Sequence, residues 1–227
     1  MRAVAYGPYE GRMKDAIHAL KYGGLRPASN RLGRLLAHAI VQLADTAPAA
    51  MLVVPVPLHP SKQAGRGFNQ ARMLAACALA SLRKTHPAWQ LALTSGILTR
   101  SRDTDSQAGL TPRQRRFNVR GAFRVSEPEA VNGKHVLIID DILTTGATVR
   151  AAAQALVSAG AETVWVATLA RARMTNSHRF GFAATHSAAD MTQDADNHGV
   201  LTHSSLDSGP GTHLQPASAY SQNRRSF

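Results

Sequence analysis

The sequence predicts an α/β fold, a parallel twisted sheet flanked by helices, and three observations carry that expectation. Two short, continuously apolar runs, Met51 to Val56 and Val136 to Ile139, have the character of strands buried on both faces, as strands of a parallel sheet are. From Val136 to Leu169 an apolar run, a polar turn, an amphipathic stretch, a glycine and a second apolar run follow one another, which is the order of a strand–helix–strand unit. Before and between these runs, apolar residues recur at helical spacing rather than in alternation.

Taken in order, Glu10 to Tyr22 places Met13, Ile17 and Leu20 on one helical face, and Gly23-Gly24 ends it. Asn30 is a suitable cap for a second helix that buries Leu32, Leu35, Leu36, Ala39, Ile40 and Leu43, so helices fill roughly residues 10–44. The strand 51–56 ends among Pro55, Pro57 and Pro60, which lead into a loop. Asn69 to Lys84 is rich in alanine and leucine and reads as a helix, with Cys77 in its core. Ile97-Leu98-Thr99 and Ala122 to Val125 are strand candidates on either side of a long polar stretch. The closing unit is a strand at 136–139, a turn at Asp140 to Gly146, a helix at Thr148 to Ser158 stopped by Gly160, and a strand at Thr163 to Leu169.

Composition narrows the function classes. The 227 residues are 44% hydrophobic and 18% charged, too apolar for a polyelectrolyte chain. No apolar run approaches the roughly eighteen residues of a membrane span, and the first residues lack the apolar core of a signal peptide, so a cytoplasmic location without membrane insertion is expected. A single cysteine excludes an internal disulfide or a cysteine zinc cluster. The net charge of +12 calls for an anionic partner: nucleic acid, a membrane surface or a phosphorylated small molecule.

That charge is unevenly placed. Residues 175–227 contain no lysine and few large aliphatics, and Arg179, Arg224 and Arg225 against four aspartates give −1. Such a segment cannot offset its chain entropy by burial and is expected to be a disordered tail. Its five histidines have irregular spacing that does not make a metal motif. Residues 1–174 form the expected domain and carry +13.

The run Val136-Leu137-Ile138-Ile139-Asp140-Asp141-Ile142-Leu143-Thr144-Thr145-Gly146-Ala147-Thr148 carries the chemistry. Four apolar residues deliver two acids to the carboxyl end of a buried strand, where open α/β sheets bind ligands. Small residues and a glycine then turn the chain into a helix, so backbone N–H groups, hydroxyls and the helix dipole can surround a phosphate. A carboxylate accepts two hydrogen bonds from a cis-diol. Phosphate at the loop and diol at the acids describe a ribose 5-phosphate. The phosphate-loop NTPase motif and the serine-hydrolase elbow are absent, and Gly65-Arg66-Gly67 has Gln70 where a dinucleotide fingerprint needs glycine.

The thirteen-residue run resembles the phosphoribosyl-pyrophosphate (PRPP) motif of type I phosphoribosyltransferases. Four further segments sharpen the likeness: Val54-Pro55-Val56-Pro57-Leu58-His59-Pro60, Arg66-Gly67-Phe68-Asn69-Gln70-Ala71, Arg100 to Leu110 and Arg116-Phe117-Asn118-Val119. With Leu20-Lys21-Tyr22-Gly23-Gly24 they resemble the ComF family, phosphoribosyltransferase-like proteins linked to DNA uptake in competent bacteria. The resemblance covers about residues 6–173 and implies the type I phosphoribosyltransferase fold. Many family members begin with a cysteine-rich zinc ribbon; this chain has no such cysteines, and zinc binding is not carried over.

The resemblance also implies roles. Asp140 and Asp141 would hold the ribose hydroxyls, and Thr144, Thr145, Gly146, Ala147 and Thr148 would cradle the 5-phosphate. The loop around Pro57, Leu58 and His59 would offer backbone N–H groups to pyrophosphate, supported by Lys62 and Arg66, with Arg66 equally suited to anchor the loop. Arg100, Arg102, Arg113, Arg115, Arg116 and Arg120 lie on a long loop that in related enzymes closes over the site. Arg100 and Arg102, with the two acids, would be catalytic. Mg²⁺ would arrive with PRPP, held mostly by the ligand's own oxygens and water. The implied activity is transfer of phosphoribose to an unknown acceptor. The alternatives are a PRPP or nucleotide sensor without turnover, or a DNA-uptake accessory that binds single-stranded DNA or a DNA-translocating partner. Few aromatics stand ready to stack bases, and Trp165 is expected in the core.

Overall fold

The computed structural model describes residues 1–22, 27–101 and 121–172. Among them seven strands and six helices follow in order: β1 (Arg2–Pro8), α1 (Gly11–Tyr22), α2 (Ala28–Val41), β2 (Ala50–Pro55), α3 (Pro60–Arg66), α4 (Gln70–Thr85), β3 (Gln90–Leu93), β4 (Leu98–Arg100), β5 (Phe123–Val125), α5 (Pro128–Val131), β6 (His135–Leu143), α6 (Ala147–Ser158) and β7 (Thr163–Arg171). Five strands form one parallel sheet in the order β1-β7-β6-β2-β3. β4 and β5 pair antiparallel as a separate two-stranded sheet.

Period-two alternation divides the central strands between two cores. Leu137 and Ile139 of β6 join Ile17, Leu20, Leu36, Ile40 and Leu74 beneath α1, α2 and α4. Val136 and Ile138 join Val149, Leu156, Val131 and Leu98 beneath α6, α5 and the small sheet. Helices on both faces explain why β2 and β6 read as unbroken apolar runs.

Several expectations are corrected. Asn30 does not cap α2: the helix begins at Ala28 with Pro27 in the cap position, and Asn30 Oδ1 instead accepts from Cys77 Sγ at 3.2 Å. Cys77 is half-buried at the α2–α4 contact rather than in the core. The turn expected at Asp140 does not begin there, because β6 runs on to Leu143 while β7 pairs with it as far as Arg171. β1, β3 and the short helices α3 and α5 are additional elements. No helix among the described residues is long and apolar enough to cross a membrane. The tail expected at 175–227 lies outside the described residues.

Candidate functional site

β2 leaves the sheet earlier than β6, and that difference makes the site. Their ladder closes at Pro55 opposite Ile139, with a last bond from Val56 N–H to Ile139 O at 2.9 Å. Asp140 and Asp141 therefore extend past β2 at the carboxyl end of the sheet, the ligand-binding edge of this architecture. Across the acid pair the alternation slips: Asp141 reaches α1, Ile142 packs on the same core as Ile139, and Leu143 falls in the opposite one.

The two acids have different surroundings. Asp141 is 5% exposed by side chain, and its Oδ2 meets Lys21 Nζ of α1 at 2.9 Å. Asp140 Oδ1 accepts the Asp141 backbone N–H at 2.9 Å. Burial, reinforced by the Asp141 charge, pushes the Asp140 carboxyl up to about 7, against the opposing pull of Lys21, that backbone hydrogen bond and Arg100. Arg100, at the end of β4, thus stands within electrostatic reach of the acids and lays its guanidinium 5.5 Å from the centre of the Phe123 ring.

Past β6 the chain enters α6 through a tight loop. Gly146 occupies the cap position at φ +75°, a left-handed conformation that favours glycine, and makes no side-chain cap hydrogen bond of its own. Thr145 Oγ1 accepts from Ala147 N–H at 3.4 Å. The loop itself has no basic residue, but Arg150 of the first helical turn folds back, and its Nη2 donates to Thr145 O at 2.7 Å. A guanidinium therefore sits against the loop proposed to hold phosphate, where the sequence showed only N–H and O–H donors. Thr144, Thr145, Gly146 and Thr148 are partly exposed, and Ala147 is buried.

Pro57 and Leu58 follow β2 after the buried Val56 and are partly exposed. Asn69 fixes this segment: its Nδ2 donates to Val56 O at 3.0 Å while its Oδ1 caps α4 by accepting from Arg72 N–H at 3.1 Å. His59 caps α3, where its Nδ1 faces Ser61 N–H at 3.4 Å. Arg66 is engaged within the protein, donating to Gln70 Oε1 at 3.1 Å and to Tyr22 Oη at 3.0 Å with its guanidinium over the tyrosine ring.

The structure thus brings Asp140, Asp141, Arg100 and the 144–148 loop to one end of the sheet, where the 57–58 segment also emerges from β2. Arg102, Arg113, Arg115, Arg116 and Arg120 lie outside the described residues. Lys21, Asn69 and Arg150 are the contributors that sequence reasoning left without a part. Lys21 and Asn69 each carried a signal, through the Leu20 to Gly24 and Arg66 to Ala71 motifs, whereas Arg150 carried none. Among the described residues no group of three or more histidine, cysteine or acidic side chains could hold a metal by itself. The two carboxylates are hard oxygen donors that suit Mg²⁺ delivered on a phosphorylated ligand. A cavity of about 640 Å³ opens at the opposite end of the sheet, lined among others by Leu82, Trp89, Lys134 and His135, and contains none of these residues.

Comparison with known proteins agrees with the geometry. Residues 78–182 match the phosphoribosyl transferase domain. The DNA utilization protein YhgH of Escherichia coli is 36% identical over 172 residues, 75% of this chain and 72% of that protein. Competence protein F of Haemophilus influenzae is 28% identical over 175 residues, 75% of this chain and 73% of that protein. Competence protein ComFC of Bacillus subtilis is 30% identical over 109 residues, 48% of this chain and 39% of that protein. With a parallel sheet that ends in the acid pair and its loop, and relatives matched over three quarters of its length, the chain belongs to the ComF family of type I phosphoribosyltransferase-like proteins.

Proposed function

We propose that the carboxyl end of β6 and the loop into α6 bind PRPP, and that the protein transfers its phosphoribose to an acceptor in a process connected with DNA uptake or use. The observation that carries this reading is the continuous strand–loop–helix from His135 to Ser158, with two acids at the strand end and a helix N-terminus whose cap position, Gly146, offers no side chain. The N–H groups at the start of α6, the threonine hydroxyls and Arg150 suit a 5-phosphate. The carboxylates at Asp140 and Asp141 suit the ribose diol. The backbone N–H groups of the loop that Pro57 opens, at Leu58 and His59, and Arg100, suit the pyrophosphate. Relatives named for DNA utilization and competence support the biological setting.

In the transfer, the bond from the anomeric carbon to pyrophosphate breaks and pyrophosphate leaves with the electron pair. The acceptor's lone pair forms the new bond, and its proton passes to solvent or to a nearby base. The transition state is oxocarbenium-like, so the protein's work is to fix the sugar and stabilise the departing anion. Bound Mg²⁺ would neutralise the leaving pyrophosphate.

The test is calorimetric titration of PRPP with Mg²⁺, followed by a pyrophosphate-release assay against a panel of bases and amines. Wild type is expected to bind, and Asp140→Asn with Asp141→Asn to lose at least about tenfold in affinity. Unchanged binding by the double variant overturns the ribose assignment. Binding without release against the whole panel converts the reading into a sensor. A second reading, association with single-stranded DNA, is favoured by the +13 charge of residues 1–174.

A further inference from the structure

Resting on the PRPP reading, we infer that Lys21 is a ligand-exchanged cation: it compensates Asp141 when no ligand is bound, and it moves to the pyrophosphate when PRPP arrives, releasing the carboxylate to the ribose hydroxyls.

The burial of Asp141 requires compensation, because a carboxylate that far from water is costly without a cation or hydrogen-bond donors. Lys21 Nζ at 2.9 Å supplies it, and Oδ2 has no hydrogen-bonding partner besides that contact among the described residues. The same oxygen is the acceptor a ribose diol needs. Ammonium and hydroxyl therefore compete for one atom, and a ligand that only added a diol would have to displace an ion pair. PRPP resolves the competition because it carries a pyrophosphate as well as a diol. An ammonium on a flexible four-carbon stem can follow the larger negative charge, and at 18% exposure the Lys21 side chain is not sealed in.

The residues around Lys21 hold its backbone while leaving its side chain this freedom. Leu20 and Ile17 are fully buried in the core under the sheet. Tyr22 is 64% exposed and accepts from Arg66 Nη2 at 3.0 Å, with the guanidinium 4.9 Å above its ring. Arg66 closes the helix that follows the 57–59 segment. The last turn of α1 thus spans the site, tied through Tyr22 to the side expected to take pyrophosphate and through Lys21 to the side expected to take ribose.

The experiment compares two ligands on the full chain with Mg²⁺: PRPP, and ribose 5-phosphate, which has the diol and the 5-phosphate but no pyrophosphate. Lys21→Met is expected to weaken PRPP at least about tenfold, while ribose 5-phosphate binds as before or more tightly because its competitor for Asp141 is gone. Lys21→Arg is expected to return PRPP affinity to within about threefold. A thermal melt accompanies each variant. If Lys21→Met does not fold with its buried carboxylate unpaired, the neutral pair Lys21→Met with Asp141→Asn is compared with Asp141→Asn alone, and the same selective loss of PRPP is expected. Equal weakening of both ligands would show that Lys21 only holds Asp141 in place and would overturn the exchange. Unchanged PRPP affinity in Lys21→Met overturns it too, while leaving the site reading intact. Failure of wild type to bind either ligand overturns the site reading, and the inference with it.

Discussion

Asp140 and Asp141 are adjacent in sequence yet differ in surroundings: Lys21 pairs directly with Asp141, whereas Asp140 has burial and a neighbouring carboxylate against its charged form. The Asp140 carboxyl, ordinarily near 3.8, titrates at about 7 in the folded protein. Between these values the folded state holds a proton that the unfolded chain has released. Folded stability therefore falls as pH rises through this window, and the protonated site is favoured below it. Asp140→Asn removes that titration. Relative to wild type, the variant is expected to gain roughly 2–4 kcal/mol between about pH 4 and about pH 8. Urea denaturation of both proteins at the two pH values measures the difference, and comparing them cancels the histidines they share. A gap that stays constant with pH would show that Asp140 ionises normally. The same substitution alters the acceptor proposed for ribose, so a gain in stability at neutral pH alongside a loss of PRPP affinity would mark strain stored for binding.

At the scale of elements, the crossing of α2 and α4 is a tight one. A Cβ placed on Gly33 would overlap Cys77 Cβ and lie 3.1 Å from the Ala78 backbone nitrogen. Gly33→Ala gains about 1 kcal/mol of helix propensity and loses about 1–3 kcal/mol to overpacking. Neither obstructing atom can rotate away, so the loss is expected to win and the urea midpoint to fall. The deficit should persist in a Cys77→Ala background, which keeps the Cβ, and a midpoint that rises would show that the helices separate freely. The elements that sequence made legible are those whose own residues decide them: continuous apolar runs for β2 and β6, helical spacing for α1, α2 and α4, and a glycine past α6. β1 and β3 escaped because they are edge strands with mixed side chains, placed by β7 and β2 rather than by their own pattern. The overrun of β6 escaped because Asp140-Asp141 resembles a turn until β7 is seen to pair beyond it. The site divides the same way. The acids and the 144–148 loop sit in one contiguous motif and could be read. Lys21 and Asn69 act through contacts with distant segments, and Arg150 through a fold-back onto the loop, which spacing along the chain does not encode.

For the molecule as a whole, the question is what a charge of +13 on residues 1–174 is for. The described site absorbs part of it: Lys21 is paired with Asp141, Arg100 lies near Asp140, Arg150 braces the loop and Arg66 is clamped by Tyr22 and Gln70. The proposed pyrophosphate site would account for several cations without invoking a polymer, yet most of the excess remains. A polyanion is the partner that answers an excess of this kind, since each neutralised phosphate releases counterions and the gain scales with their number. Single-stranded oligonucleotide is therefore expected to bind at low salt, with log affinity falling linearly in log salt by about 0.7 for each phosphate contacted. Fluorescence anisotropy across a salt series measures that slope. Asp140→Asn with Asp141→Asn should leave the affinity the same or slightly higher, because removing two acids does not weaken a cationic surface, whereas PRPP affinity falls. Parallel loss of both ligands would place them on one site. Absence of binding at the lowest salt would leave the charge to phosphorylated small molecules alone. A slope corresponding to several phosphates, together with retained binding in the double variant, would establish two anionic ligands on one chain: a sugar phosphate at the end of β6 and a nucleic acid on the basic surface.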